Sequence, residues 1–166
     1  MRFAPDFFKQ PAVNLAPLLL GKTLCRRIGK EVFRLAITET EAYAGEKDTA
    51  CHAYKGKTPR TSVMYNAGGI AYIYLCYGIH HLLNVVVGDI GQPQCVLIRG
   101  VKGIPGPGRL TKALQIDMSL NKINLMHSDE LWLEDGMQLT YTTTPRIGIG
   151  YASEEDKAQL WRFVST

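Results

Sequence analysis

Residues 61 to 88 carry no Asp, Glu, Lys or Arg, an uncharged run long enough on length alone to cross a bilayer. Its internal pattern points elsewhere. Tyr72 and Tyr74 alternate with Ala71, Ile73 and Leu75, the period of a strand rather than of a helix. Tyr77-Gly78 interrupts the run, and Leu82 to Val87 is rich in β-branched residues. The pattern predicts two strands joined through Gly78, with Tyr77, Ile79 and His80 at the hairpin tip. Two histidines and Asn84 would be costly in the middle of a lipid span. A buried hairpin with an aromatic, partly apolar tip is the better reading.

The flanking pattern extends this picture. DFFKQPAVNLAPLLL, residues 6 to 20, predicts one or two short helical turns, interrupted by Pro11 and Pro17 and closed by Gly21. KTLCRRI and EVFRLAITETEAY read as strands around a turn at Gly29-Lys30. Residues 44 to 62 are polar and loop-like, as is GIPGPG at 103 to 108, which leads into a short helix, RLTKALQI. DELWLEDGMQLTYTTTPRIGIGYA predicts further short strands separated by turns. No internal repeat or linker is visible, so residues 1–166 are expected to form a single α+β domain.

Composition narrows the class. The chain is 46% hydrophobic and 20% charged, values of a globular protein rather than a disordered one. MRFAPDFFKQPAV has no basic patch leading into a long apolar block, so no secretory signal is expected. Cys25, Cys51, Cys76 and Cys95 lack paired spacing, and reduced thiols in the cytoplasm are the corresponding expectation. The net charge of +4 is compatible with a polyanionic partner but singles none out.

Three groups of residues could carry chemistry. In a regular strand Phe33, Leu35, Ile37, Glu39, Glu41 and Tyr43 share one face, so a face that begins as core ends in two carboxylates and a phenol. Either the strand emerges into water or arginines neutralise the acids, or one acid is a general base at the floor of a pocket. Tyr65, Tyr72, Tyr74 and Tyr77 are half of the eight tyrosines, and they suit either core packing or a stacking platform for flat ligands. His52 lies in the polar loop TACHAYKGKTPRTS. Glu39, Glu41, Asp48, Cys51, His52, His80 and His81 lie in one region and are candidate ligands for a metal centre. No HExxH or CxxC spacing supports it, and neither a metal nor another cofactor is expected.

Taken in order, DFFKQPAVNLAPLLLGKTLCRR, ETEAYAGEKDTACHA, TPRTSVMY, GGIAYIYLCYGIHHLLNVV, CVLIR, GPGRLTKAL, LWLED, PRIGIG and WRFV resemble the alkyladenine (3-methyladenine) DNA glycosylase family of the mammalian type. The resemblance spans almost the whole chain. It implies a curved, largely antiparallel β-sheet with surrounding helices and a protruding β-hairpin. It also implies a monofunctional glycosylase of base-excision repair, acting as a monomer on damaged purines in double-stranded DNA. If the source is bacterial, the protein would be nucleoid-associated.

Carried over residue by residue, the resemblance makes Glu41 the carboxylate that activates the attacking water, with Arg99 supporting that water. It makes Tyr43, His52 and Tyr74 the enclosure of the extruded base, and Asn84 the wall residue that disfavours guanine. Tyr77 becomes the wedge left in the DNA, and Lys57 and Arg109 become phosphate contacts. Glu39 is left structural, held by an Arg. The substrates implied are 3-methyladenine and 7-methylguanine, with hypoxanthine and ethenoadenine as further candidates. Two readings compete with this one: a non-catalytic binder of damaged or single-stranded nucleic acid, and a metal-dependent hydrolase. The chain departs from the family in the short GVKGIP link, at Met118, and at the tip residues Ile79, His80 and His81.

Overall fold

A computed structural model describes residues 1–166. Nine strands form one curved antiparallel sheet: β1 Thr23–Ile28, β2 Glu31–Tyr43, β3 Ala71–Cys76, β4 His80–Val87, β5 Gln94–Val101, β6 Ile104–Pro105, β7 Leu131–Glu134, β8 Tyr141–Thr144 and β9 Arg162–Ser165. The main path runs β3-β4-β5-β2-β1-β7, with β6 added to β5 and a β9-β8 branch on β2. Three short helices accompany it: α1 Ala12–Leu18, α2 Pro107–Ala113 and α3 Glu154–Ala158. The α+β architecture expected from the sequence is what the chain adopts.

Alternation along the strands divides the molecule in two. One face, with Ile73, Leu83, Val85, Val96 and Ile98, packs with Leu15, Leu19 and Leu110 into the main core. Each such fully buried side chain contributes about 1.5–3 kcal/mol. The opposite face carries the second, smaller cluster around Tyr72, Val86 and Cys95. Both faces of β4 are therefore covered, which is why residues 82 to 87 are all buried. No helix is long and apolar enough to cross a membrane.

The single-face expectation for residues 33 to 43 needs correction. Between Ile37 and Thr40 the pairing of β2 with β5 slips twice: Ile37 faces Val101, Glu39 faces Gly100 and Thr40 faces Ile98. Thr38 is the extra residue on β2 and Arg99 the extra residue on β5. A bulge of this kind reverses the alternation and re-aims side chains. Ile37 accordingly joins Ala42 in the main core, while Glu39 meets Arg99 on the other face. Phe33, at the far end, is 38% exposed.

The hairpin forms as the pattern predicts. Tyr74 faces Leu82 and Cys76 faces His80 across it. At its tip Tyr77 and Gly78 have φ of 51° and 67°, and the Ile79 N–H donates to the Cys76 carbonyl at 3.1 Å. Tyr77, Gly78 and Ile79 thus form a three-residue loop between the paired Cys76 and His80, reversed through two left-handed residues. Tyr77 takes this left-handed backbone although bulky side chains rarely do. It stands 89% exposed, with Ile79 at 72%. The polar segment 44 to 62 contains short 3-10 turns at His52–Lys55 and Thr61–Tyr65. The helix expected from Arg109 begins earlier, at Pro107, where a missing N–H costs nothing.

Candidate active site

Registers across the sheet bring the site together. Glu41 lies opposite Leu97, Leu97 opposite Asn84, and Asn84 opposite Tyr72. Tyr43 lies opposite Cys95, one pleat along. Because side chains repeat every second residue, these positions point to the same side, away from the main core. There Glu41, Tyr43 and Leu97 line a cleft of about 550 Å³, with Glu41 at its floor, Tyr43, His52 and Tyr74 on its walls, and Tyr77 and Arg109 at its rim.

Glu41 is fully buried, and each of its oxygens takes one strong hydrogen bond. The Tyr43 hydroxyl donates to Oε1 at 2.8 Å, and the Ile147 backbone N–H donates to Oε2 at 2.7 Å. Arg99 Nη1 stands 3.7 Å from Oε1, close enough for charge attraction but beyond hydrogen-bond reach. Burial raises the Glu41 pKa above the usual carboxylate value. The charges of Arg99 and Arg146 and the two hydrogen bonds oppose that rise without cancelling it. Burial also pushes the Tyr43 phenol far up, and the neighbouring carboxylate adds to it, so Tyr43 stays protonated and serves as a donor. The result is a desolvated base with one lone pair on each oxygen still open.

His52 and Tyr74 meet on the cleft wall, ring centroids 4.4 Å apart at 68°. The Tyr72 hydroxyl lies 2.9 Å from His52 Nδ1. Burial, reinforced by the charge of Arg60, lowers the His52 pKa to about 4, so the ring is neutral at physiological pH. The unfolded chain takes up this proton near pH 6.5 and the folded chain only near 4, so His52 lowers stability as pH falls through that window. Glu41 acts with the opposite sign over part of the same range. The His52 contribution is therefore read as the difference between wild type and His52→Gln. Urea unfolding should give a pH slope shallower in the variant by up to about 1.4 kcal/mol per pH unit.

Behind these rings lies a chamber of about 30 Å³ lined by Tyr43, His52, Tyr72, Tyr74 and Asn84, room for a water but not for a purine. Asn84 is buried, its amide donating to the Tyr72 carbonyl at 3.2 Å. Lys57 is exposed and sits 5.5 Å from the Tyr65 ring. Arg109 is exposed at the cleft rim. Tyr43, His52, Tyr74, Tyr77, Arg99 and Arg109 thus share one cleft with Glu41, while Asn84 reaches only the chamber behind the rings and Lys57 lies apart. His80 also lines the cleft, but no three His, Cys, Asp or Glu side chains converge on a point that could hold a metal ion.

Several contributors were not singled out in the sequence. Arg146 is buried and clamps Asp48, with Nη1 2.6 Å from Oδ2 and Nη2 3.0 Å from Oδ1. Its guanidinium carbon lies 4.9 Å from the ring centres of both Tyr43 and Trp161. Arg146 therefore braces Tyr43 from behind and anchors the backbone that presents the Ile147 N–H. Only the glycines of PRIGIG marked this loop as unusual. Tyr151, at the cleft mouth, donates to the Ala50 carbonyl at 2.8 Å.

Comparison with known proteins bears on the whole assembly. The family described as methylpurine-DNA glycosylase (MPG) matches residues 6–166. A protein of Borreliella afzelii (strain PKo) named "Putative 3-methyladenine DNA glycosylase" is 46% identical over 171 residues, covering 95% of this chain and 92% of its own length. Proteins of the same name from Psychrobacter cryohalolentis and Methanocella arvoryzae are 40% and 41% identical, covering 98% and 95% of this chain and 91% and 89% of theirs. Since the match takes in the hairpin, the Glu41 strand and the PRIGIG loop alike, this chain belongs to the methylpurine-DNA glycosylase family.

Proposed function

We propose that this chain is a monofunctional DNA glycosylase that hydrolyses the N-glycosidic bond of N-alkylated purines, 3-methyladenine foremost, in duplex DNA. The observation that carries the reading is Glu41: a fully buried carboxylate at the floor of a cleft, its basicity raised, with aromatic walls above it. A base inside a duplex cannot be reached, so the target nucleotide turns out of the stack. Tyr77 and Ile79, exposed at the tip of the rigid turn, fill the gap that it leaves.

The extruded base enters the cleft lined by Tyr43 and by the adjoining rings of His52 and Tyr74. Electron-rich ring faces then hold a cationic purine, and neutral His52 does not repel it. A water bonded to Glu41 and Arg99 attacks the anomeric carbon. As the new C–O bond forms, the N-glycosidic bond breaks and its electron pair leaves with the purine, neutralising the alkylated base. The water's proton passes to Glu41. Until then the carboxylate offsets the positive charge that develops on the sugar, as in other glycoside hydrolysis. No proton has to reach a cationic leaving group, so one carboxylate suffices.

Incubation of this protein with methylated duplex DNA should liberate free 3-methyladenine, identified by chromatography, and leave abasic sites. Tight lesion binding with no base released would end the proposal in favour of a non-catalytic binder. The wedge has its own test. Tyr77→Ala should weaken binding to lesion-containing duplex by about 1–3 kcal/mol, the range for loss of one stacked aromatic, measured by fluorescence anisotropy. Unchanged affinity would mean that the tip stays outside the helix.

A further inference from the structure

Of the two carboxylates in the ETEAY segment, the proposed hydrolysis uses only Glu41. Glu39, two residues earlier, is held between two arginines. Its Oε2 accepts from Arg99 Nε at 2.6 Å and from Arg162 Nε at 3.0 Å, and its Oε1 accepts from Arg162 Nη2 at 3.1 Å. Arg162, on β9, is tied in turn to the Thr144 hydroxyl of β8 at 3.0 Å. A line of polar contacts therefore crosses four strands, from Thr144 through Arg162, Glu39 and Arg99 to Glu41.

The geometry along that line is uneven. Arg99 is in full hydrogen-bond contact with Glu39 but remains 3.7 Å from Glu41. A guanidinium beside a free carboxylate ordinarily closes to a direct, often bidentate pair. Closure here would occupy the lone pairs of Glu41 that remain open after Tyr43 and Ile147 have bonded. The two register slips contribute to the same arrangement: they make Arg99 the bulged residue of β5 and set Glu39 opposite Gly100. A side chain at Gly100 would press on Thr38, its Cβ falling 3.1 Å from Thr38 Oγ1, and would lie in ordinary contact with Glu39 Cβ at 3.5 Å.

We propose that Glu39, braced by Arg162, is a positioning residue that draws Arg99 away from Glu41 and so leaves the Glu41 carboxylate open to a water on the cleft side. The inference rests on the reading of Glu41 as the base. The charged groups around Glu41 are Glu39 on its own strand, Arg99 on β5, Arg162 on β9 behind Glu39, Arg146 of the 145–150 loop paired with Asp48 of the loop after β2, and Arg109 of α2 across the cleft, where His52 and His80 are the imidazoles. Tyr43 and Tyr151 are the neighbouring phenols. Among the ion-paired groups, Arg99, Arg146 and Arg162 balance Glu39, Glu41 and Asp48. Removing the charge of Glu39 leaves a positive excess and frees Arg99 to close on Glu41, and both effects favour the ionised form of Glu41. Removing Arg162 does the reverse.

The test reads Glu41 directly, by carbon-13 carboxyl NMR titration of the full chain. Glu39→Gln should move the Glu41 midpoint down, and Arg162→Met should move it up. In single-turnover base release, Glu39→Gln should lose about 10²-fold in rate, the cost of displacing a catalytic group by about 1 Å. Its lesion affinity should be unchanged, and the acidic limb of its pH profile should follow the NMR midpoint. A Glu39 that served only to hold the fold would lower the melting temperature and leave both the midpoint and the limb in place, and that result would overturn the proposal. If Glu39→Gln does not fold, the upward shift in Arg162→Met decides the matter, and an unmoved midpoint there counts against it. Absence of base release by the wild type would remove the glycosylase reading, while the NMR midpoints would still decide the role of Glu39.

Discussion

Glu41→Gln is expected to bind lesion-containing DNA almost as the wild type does and to lose base release by about 10³–10⁴-fold, the upper part of the range for a general base. The substitution is nearly isosteric, and its surroundings can accommodate it. The amide oxygen can accept from the Ile147 N–H, and the amide nitrogen can donate to the Tyr43 hydroxyl, so neither buried partner is left unpaired. What disappears is the ability to take a proton from water and the negative charge beneath the sugar. Single-turnover assays with enzyme in excess, paired with an affinity measurement on the same duplex, separate these effects. A rate within tenfold of the wild type would remove Glu41 from the chemistry. Equal loss of binding and rate would point instead to a collapsed pocket.

Arg146→Met should be the most destabilising single change in the molecule outside the apolar core, lowering the unfolding free energy by about 3–5 kcal/mol, the cost of stranding one member of a buried ion pair. Asp48 would keep the N–H groups of Ala44 and Ala50, each at 3.0 Å, and lose its counter-charge in a site without solvent. The carbonyl groups of Ala42 and Asp156 would lose a donor as well. Urea denaturation monitored by Trp fluorescence gives the difference. Combining the change with Asp48→Asn should recover part of the loss, because no buried charge is then left alone. A single variant within about 1 kcal/mol of the wild type, the range of exposed pairs, would show that this pair is screened by solvent.

Much of the fold is written in short-range pattern. The β1–β2 turn at Gly29-Lys30 and the β3–β4 hairpin at Gly78 were legible because alternation and turn residues sit next to each other in the chain. Glu39, Glu41 and Tyr43 drew notice because acids and a phenol end an otherwise apolar strand, whereas His52, in a polar loop, took its role only from the family resemblance. The double bulge was not legible, since an extra residue shows only against the partner strand and β5 lies far along the chain. The same holds for Arg162, whose partner Glu39 is 123 residues away, and for Arg146, which nothing nearby marks as buried. The expectation that an Arg holds Glu39 was correct in kind, and the fold supplies two. That His52 lies close to Tyr74 followed from the resemblance and not from pattern, because it depends on the path of a polar loop that returns across the sheet.

The slip in β2 has a practical consequence. Upstream of it, β2 pairs with β1, which pairs with β7; downstream, it pairs with β5 and β9. The strand works as two lengths in opposite phase, joined at Thr38. The outer length ends in the exposed turn at Gly29 and Lys30, where Gly29 with φ of 60° makes the turn and Lys30 offers an exposed side chain. At Lys30 a fluorophore, an affinity handle or a surface tether can be attached with the half of the sheet that carries the cleft left as it is.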